Sequence, residues 1–167
     1  MAEPAPDRGR RLRPVEGSAP PSFEALYNAR HDDLVRLAYL LTGSYELAQD
    51  VVQDAFVRAY PRLGRVREPV PYLRRAVVNG CLSHHRRTAR GRRIVVRVVD
   101  EHPTDLDADE LGDALAALPP RQRAALVLRY YHDLSDADIA TALRCRPGTV
   151  ASLIHRGLAQ LRKAIEP

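Results

Sequence analysis

Residues 133–163 read DLSDADIATALRCRPGTVASLIHRGLAQLRK, and this stretch decides the fold. Ser135 is followed three residues later by Asp138, a spacing typical of the capping box at the start of a helix. Leu134 and Ile139 occupy the two positions of a hydrophobic staple around the same cap. The pattern therefore predicts a helix that begins directly after Ser135 and lasts about two turns.

A second helix is predicted to begin at the Pro147-Gly148 pair. Proline suits the first turn of a helix because the N–H that it lacks has no partner there. Apolar residues then recur at helical spacing, at Val150, Ile154, Leu158 and Leu161. No acidic residue occurs between Asp138 and Glu166. A short helix, a tight turn and a longer helix with an acid-free outer face predict a helix-turn-helix, whose second helix fits the major groove of DNA. An ordinary helical hairpin is the alternative.

The rest of the chain divides by composition and periodicity. Residues 1–21 are rich in proline, arginine and small residues, which predicts a disordered tail. Residues 22–90 show helical periodicity throughout. Residues 91–110 change abruptly from basic to acidic, which predicts an extended linker rather than a strand. Helical periodicity resumes at Leu111 and continues through residues 111–167.

Breaks within the first helical region delimit three helices. Gly43 is a good helix end, and Ser44 is a good cap for the helix that follows. That second helix should end near Pro61 or Gly64, and the third should run over roughly Val70–Arg90. We thus predict an all-α chain in which a three-helix bundle and a four-helix module with a helix-turn-helix are joined by an extended linker.

The bulk composition limits the class of protein. A net charge of +5 favours a polyanionic partner, of which nucleic acid is the commonest. Cys81 and Cys145 are far apart and form no CxxC pair, so we expect two small apolar residues rather than a disulfide or a metal site. No apolar run is long enough for membrane insertion, and the N-terminus lacks the apolar core of a signal peptide, so we expect a cytoplasmic protein.

The sequence offers no support for an enzyme. It contains no HExxH, no phosphate-binding glycine loop and no Ser/His/Asp order. His84 and His85 are adjacent and therefore point to different faces of a helix, which argues against a shared metal site. We accordingly predict no catalytic residue, no metal and no cofactor.

Four segments together resemble a known family. The pattern D-L-S-x-x-x-I-A-x-x-L-x-x-x-x-G-T-V-x-S-x-x-x-R, with LPPRQRAALVLRYYHDLS before it, is similar to the last region of bacterial RNA polymerase sigma factors of the sigma-70 class. LAQDVVQDAFVRAYPRL resembles the segment that docks on the polymerase clamp, and YLRRAVVNGCLSHHRR resembles the helix that reads and melts the promoter −10 element. The resemblance covers most of residues 22–165 and is strongest to actinobacterial-looking members of the extracytoplasmic-function (ECF) group.

The resemblance implies a role for each module. Residues 22–90 would be a sigma2-like domain and residues 111–167 a sigma4-like domain. Contacts to the −35 element would come from Arg146, Thr149, Ser152, His155 and Arg156. Contacts to the −10 element would come from Arg74, Arg75, Asn79, Ser83, Arg86 and Arg87. Docking on the polymerase core would use Asp50, Gln53 and Asp54.

The chain departs from the family pattern at several DNA-reading positions. Tyr72 stands where a tryptophan is usual, and Val78 and Ser83 replace a common arginine and a common aspartate. In the last region, Ala151 and Leu153 stand where relatives often have lysine or arginine. The usual turn glycine and capping serine are replaced by Arg144 and Arg146. The resemblance therefore implies weak DNA affinity for the −35 module alone, and melting that depends on a good promoter match.

The implied partners follow from the same resemblance. They are the RNA polymerase core (the β′ clamp helices and the β flap), double- and single-stranded promoter DNA, and an anti-sigma factor acting in trans. The alternative function is a helix-turn-helix transcriptional regulator without a sigma role. The segment AQDVVQDAF favours the sigma factor, because a regulator has no need of a clamp-docking helix.

Overall fold

The computed structural model describes residues 22–90 and 108–165, and all regular secondary structure in these ranges is helical. The all-α prediction is therefore confirmed. The predicted tail at residues 1–21 and the stretch 91–107 of the predicted linker lie outside the described residues.

Three α-helices form the N-terminal bundle. They are α1 (Phe23–Thr42), α2 (Tyr45–Ala59) and α3 (Pro69–Arg90), with a 3-10 helix (Tyr60–Arg65) between α2 and α3. Ser22 and Ser44 cap α1 and α2, because each hydroxyl accepts a hydrogen bond from the N–H three residues on, at 3.2 and 3.3 Å. Gly43 ends α1 in the left-handed conformation, with φ at 72°. The break and cap predicted at these two positions are confirmed.

Four α-helices form the C-terminal bundle. They are α4 (Ala108–Ala116), α5 (Pro120–Tyr130), α6 (Asp136–Leu143) and α7 (Pro147–Ile165). The cap predicted for α6 is confirmed, because the Ser135 hydroxyl accepts a hydrogen bond from the Asp138 N–H at 3.2 Å. α4 begins at Ala108 rather than at Leu111.

The two bundles pack directly against each other. α3 lies against α5 and α6, and α1 lies against α4 and α5. Buried side chains from both bundles belong to one hydrophobic cluster, which includes Leu37, Phe56 and Cys81 from the first bundle and Leu128 and Ile139 from the second. The sequence predicted two helical modules but not this shared core. As a result of the shared packing, α3 of the first bundle lies against α6 of the helix-turn-helix.

Candidate nucleic-acid interface

The turn between α6 and α7 has the geometry of a helix-turn-helix. Arg144 ends α6 in the left-handed region with φ at 51°, and its N–H donates to the carbonyls of Ala140 and Thr141. Pro147 is the first residue of α7, and the Thr149 N–H donates to the Arg146 carbonyl at 2.9 Å. The Pro-Gly pair therefore begins a separate helix, as the sequence predicted.

The outer face of α7 is open to solvent. All five residues predicted to contact the −35 element are exposed, namely Arg146, Thr149, Ser152, His155 and Arg156. The Ser152 hydroxyl donates to the Gly148 carbonyl at 3.2 Å, which holds the side chain close to its own helix. The face carries cations and hydroxyls but no carboxylate, so it is suited to phosphate oxygens and to base edges in a major groove.

A close contact between helices packs α7 against α5 within the C-terminal bundle. Val150 is fully buried, but Ile154, Leu158 and Leu161 are only half-buried. The other buried residue of α7 is Gly157, where an added Cβ would lie 3.0 Å from Cδ1 of Leu126 on α5. The sequence analysis missed this glycine, although a glycine on the inner face of an amphipathic helix is a signal of close approach.

The residues predicted to contact the −10 element divide into two groups on α3. Arg86 and Arg87 are exposed, whereas Arg74, Arg75, Asn79 and Ser83 are half-buried. Of the half-buried group, Asn79 contacts the C-terminal bundle directly. Burial lowers the pKa of Arg74, while the carboxylates of Asp33 and of Asp138 on α6 act in the opposite direction. Only part of this set is therefore open to DNA in this arrangement.

Asn79 is the member of that group whose contacts cross between the bundles. Its Nδ2 donates to the Arg75 carbonyl on α3 at 2.7 Å and to the Ala142 carbonyl on α6 at 3.2 Å. Ser83 accepts a hydrogen bond from Nη2 of Arg86 at 2.8 Å, within α3. The amide predicted to read a base thus already has main-chain partners.

The three residues predicted to bind the polymerase core share one exposed face of α2. Asp50, Gln53 and Asp54 are all exposed, and Asp54 pairs with Arg58 at 2.9 Å. Leu47 and Val51 are half-buried, and the fully packed positions are Ala48, Val52, Ala55, Phe56 and Ala59.

A buried arginine at the junction of the bundles was not predicted. Arg123 on α5 is 6% exposed, and its guanidinium donates to the carbonyls of Leu41, Ala116 and Leu118. His85 on α3 hydrogen-bonds the same Leu41 carbonyl through Nε2 at 2.8 Å. The only signal in the sequence is a charged residue within the apolar face of a helix, which does not reveal its distant partners.

Two further features bear on function. Within residues 22–90 and 108–165, no group of three or more His, Cys, Asp or Glu side chains is placed to hold a metal ion. Across the same ranges, no helix combines the length and apolar character needed to cross a membrane.

Family models match both bundles. One described as "Sigma-70 region 2" matches residues 26–91, and one described as "Sigma-70, region 4" matches residues 108–161. The two matches follow the order of the bundles along the chain, with α1–α3 largely inside the first and α4–α7 largely inside the second.

Relatives and solved structures agree with these matches. The chain is 35% identical over 161 residues to the RNA polymerase sigma-E factor of Streptomyces avermitilis, over 86% of this chain and 85% of that protein. It is 36% identical over 160 residues to the ECF RNA polymerase sigma factor SigE of Mycolicibacterium smegmatis, over 87% of this chain and 62% of that protein. Its fold is similar to the sigma factor RpoE in complex with the anti-sigma factor NepR from Bartonella quintana. The TM-score is 0.74 at 23% identity, over 87% of this chain and 98% of that chain. The chain therefore belongs to the sigma-70 family of bacterial RNA polymerase sigma factors, in its ECF group.

Proposed function

We propose that this protein binds core RNA polymerase and directs promoter-specific transcription initiation. Residues 22–90 would dock on the enzyme and read the −10 element, and residues 111–167 would read the −35 element. The supporting observation is that one chain has two exposed faces of opposite character, the acid- and amide-bearing face of α2 and the acid-free face of α7. A regulator acting alone would need only the second face.

Docking would use the α2 face against the β′ clamp helices. Asp50, Gln53 and Asp54 are exposed, whereas the packed side of the helix is formed by buried residues such as Ala48 and Ala55, so a partner helix reaches the exposed set without disturbing the core. Their carboxylate and amide groups suit arginine or lysine donors on the partner. The C-terminal bundle would make a second contact, with the β flap.

Promoter reading would use both DNA faces. On α7, Arg146 and Arg156 suit phosphates or guanine edges, and Thr149, Ser152 and His155 suit base edges. On α3, Arg86 and Arg87 would hold phosphates of the −10 element. The remaining −10 contacts would come from the half-buried Arg74, Arg75, Asn79 and Ser83. The protein itself catalyses nothing in this scheme and lends specificity to the polymerase in the cytoplasm.

Run-off transcription tests the proposal. Purified protein and core polymerase are incubated with fragmented genomic DNA, and the 5′ ends of the transcripts are mapped. We expect transcripts that the core alone does not make, with shared −10 and −35 elements upstream. A DNA footprint obtained without polymerase, and no new transcripts with it, would favour the regulator instead.

A variant of the docking face separates core binding from DNA binding. Asp50→Ala with Gln53→Ala and Asp54→Ala should weaken core binding in a pull-down and reduce the new transcripts. Asp32→Ala, which removes an exposed carboxylate from α1, is the matched control and should keep both. Unchanged core binding by the triple variant would show that the docking face lies elsewhere.

We also infer control in trans by an anti-sigma protein. Two solved structures with a similar fold support this, the RpoE–NepR complex and CnrH in complex with the cytosolic domain of CnrY, the latter with a TM-score of 0.64 at 24% identity. A partner purified with the tagged protein from its host should abolish the promoter-specific transcripts when it is added back. A partner that leaves transcription unchanged would not be such a regulator.

A further inference from the structure

The turn of the helix-turn-helix places a large side chain where the backbone favours glycine. Arg144 ends α6 with φ at 51°, in the left-handed region. Its contribution to the turn comes from the main chain, since the Arg144 N–H donates to the carbonyls of Ala140 and Thr141. A glycine N–H makes the same hydrogen bonds without strain. A strained side chain that the turn does not need is a candidate for a functional contact.

The guanidinium of Arg144 is free within the part of the chain that the structure describes. Arg144 is exposed, and no carboxylate or carbonyl among residues 22–90 and 108–165 pairs with its side chain. Arg121, by contrast, donates to the Leu143 carbonyl at 3.0 Å. Arg129 pairs with Asp136 at the start of α6. The charge of Arg144 is therefore available to a partner outside the chain.

Arg144 shares an open depression with a second arginine. The depression has a volume of about 600 Å³ and is lined by α6, by the turn and by the first residue of α7. Arg144 and Arg146 both line it, on either side of Cys145 in the sequence, and none of the described residues around it is acidic. Two guanidiniums beside one acid-free space suit a phosphodiester, whose oxygens accept paired hydrogen bonds from the fork of an arginine.

The first two turns of α7 carry no charge of their own. No charged side chain occurs from Pro147 to Ile154. Thr149 and Ser152 are exposed there, and their neutral hydroxyls suit base edges. Phosphate contacts supply a large share of the affinity of a protein for DNA, whereas base contacts supply its specificity. Much of the affinity of this module must therefore come from cations that flank the start of α7.

The place of Arg144 in the motif agrees with a contact to the DNA backbone. In a helix-turn-helix the second helix enters the major groove with its N-terminal residues at the bases, and the first helix crosses the phosphate backbone. Arg144 ends the first helix and stands three residues before Pro147, which begins the second. It is therefore placed at the edge of the groove that α7 would enter.

We propose that Arg144 binds DNA: its guanidinium, together with that of Arg146, holds a backbone phosphate at the edge of the groove that α7 enters. The proposal rests on the proposed function for the assignment of α7 as the −35 reader. The contact is independent of base sequence, so it adds affinity and not specificity. The strain in the turn and the DNA contact then belong to one residue, and its replacement by glycine relieves the first and removes the second.

Salt titrations on the full chain test the phosphate contact without a known promoter. Binding of a fluorescently labelled DNA duplex is measured by anisotropy over a series of potassium chloride concentrations. Arg144→Gln should lower the affinity roughly threefold to tenfold at about 0.1 M salt. It should also reduce the slope of the logarithm of affinity against the logarithm of salt concentration by about one, as for one lost phosphate contact. An unchanged slope, or no DNA binding by the wild-type chain at low salt, would overturn the assignment.

Three further variants separate charge, backbone and fold. Arg144→Lys keeps the positive charge and should keep the slope. Arg144→Gly should lose as much affinity as Arg144→Gln although it relieves the strain, so a loss of stability would not explain the result. Arg162→Gln removes an exposed cation from the last turn of α7, outside the depression, and should leave the slope unchanged. An equal loss of slope in Arg162→Gln would mean that overall charge, and not a site at the turn, decides the affinity.

Base preference distinguishes a phosphate contact from a base contact. With core polymerase present, Arg144→Gln should weaken binding to a promoter and to the same promoter with a scrambled −35 element by the same factor. Thr149→Val, which removes a hydroxyl from the outer face of α7, should instead reduce the preference for the intact element. A reduced preference in Arg144→Gln would show that Arg144 reads a base and would overturn the phosphate assignment.

Transcription with core polymerase separates this inference from the proposed function. Arg144→Gln should reduce promoter-specific transcripts more at high salt than at low salt, while its core binding in a pull-down matches that of the wild type. A wild-type chain whose DNA affinity depends on Arg144 but that yields no promoter-specific transcripts would contradict the proposed function and leave the Arg144 contact standing. Promoter-specific transcription with the same salt dependence in both proteins would overturn the Arg144 contact alone.

Discussion

Arg144 is the residue that the helix-turn-helix holds in an unfavourable conformation. With φ at 51°, it occupies the left-handed region at the end of α6, where its N–H donates to two carbonyls of the last turn. A residue with a Cβ pays about 1 kcal/mol or more for this conformation, whereas glycine adopts it readily. The sequence predicted a tight turn here, and the structure shows that the turn strains the backbone at Arg144.

We expect Arg144→Gly to increase the free energy of unfolding by about 0.5–1 kcal/mol, because relief of the strain exceeds the added freedom of the unfolded chain. Arg156→Gly, within α7, should have the opposite effect and cost about 1 kcal/mol. Urea unfolding followed by circular dichroism measures both. A loss of stability in the first variant would mean that the arginine side chain contributes more than its backbone costs.

His85 should make stability depend on pH. Burial lowers its pKa, and Arg123 and His84 lower it further, against the hydrogen bond to the Leu41 carbonyl, which raises it. The folded protein therefore keeps the imidazole neutral, while the unfolded chain takes up a proton below about pH 6.5. Stability should be complete above that pH and should fall as the pH drops towards the folded-state pKa. His132, whose pKa burial also lowers, adds to the same trend.

His85→Gln should reduce this pH dependence without abolishing it, since His132 remains. Urea unfolding at pH 7.5 and at pH 5.5 gives the difference in free energy for each variant. His155→Gln, which changes an exposed side chain, is the control and should show the wild-type difference. An undiminished pH dependence in His85→Gln would mean that His85 is accessible to protons in the folded chain.

The two thiols should differ sharply in reactivity. Cys81 is fully buried on α3, and burial raises its pKa to about 12, whereas Cys145 is half-buried in the turn before α7. Because the thiolate is the reactive form, a thiol reagent at neutral pH should modify Cys145 and leave Cys81 unmodified until the chain unfolds. A Cys145→Ser variant should show almost no rapid reaction. Rapid modification of that variant would reveal frequent opening around α3.

At the scale of elements, caps and periodicity predicted the helices but not their closest contacts. Gly43, Ser44, Ser135 and Pro147 each mark a helix end in the sequence, and each does so in the structure. The contacts of α3 with α2 depend on residues distant in sequence, and no local signal identifies them. Gly80 is the example: a Cβ at this position would lie 2.8 Å from Cγ1 of Val51.

Two glycine-to-alanine changes test how tightly α3 meets α2. Gly80→Ala should destabilise the protein by about 1 kcal/mol or more, because the stiff Val51 side chain cannot move aside and the strain exceeds the gain in helix propensity. Gly112→Ala, where a Cβ meets nothing within 4 Å, should stabilise α4 by about 0.5–1 kcal/mol. Thermal unfolding measures both shifts. A stabilising Gly80→Ala would mean that the two helices are further apart in solution.

At the scale of the whole molecule, the sequence predicted two helical modules but not their association. The predicted DNA faces illustrate the limit. The residues of α7 are exposed as expected, but part of the α3 set is half-buried, and its Asn79 donates to a main-chain carbonyl of α6. The contact between the bundles uses main-chain carbonyls, such as those of Leu41 and Ala142, which every residue possesses. No sequence pattern encodes such acceptors, so only the folded chain reveals them.

The shared core predicts that the two bundles unfold together. Leu37, Leu128 and Ile139 belong to one buried cluster, and Arg123 of the second bundle donates to the Leu41 carbonyl of the first, so loss of either bundle exposes apolar surface of the other. Scanning calorimetry of the free protein should therefore give one cooperative transition, with equal calorimetric and van't Hoff enthalpies. Arg123→Gln should split or broaden it, whereas Arg121→Gln should not, because Arg121 donates to the Leu143 carbonyl within the C-terminal bundle. Two transitions in the wild-type protein would mean that each bundle is stable without the other.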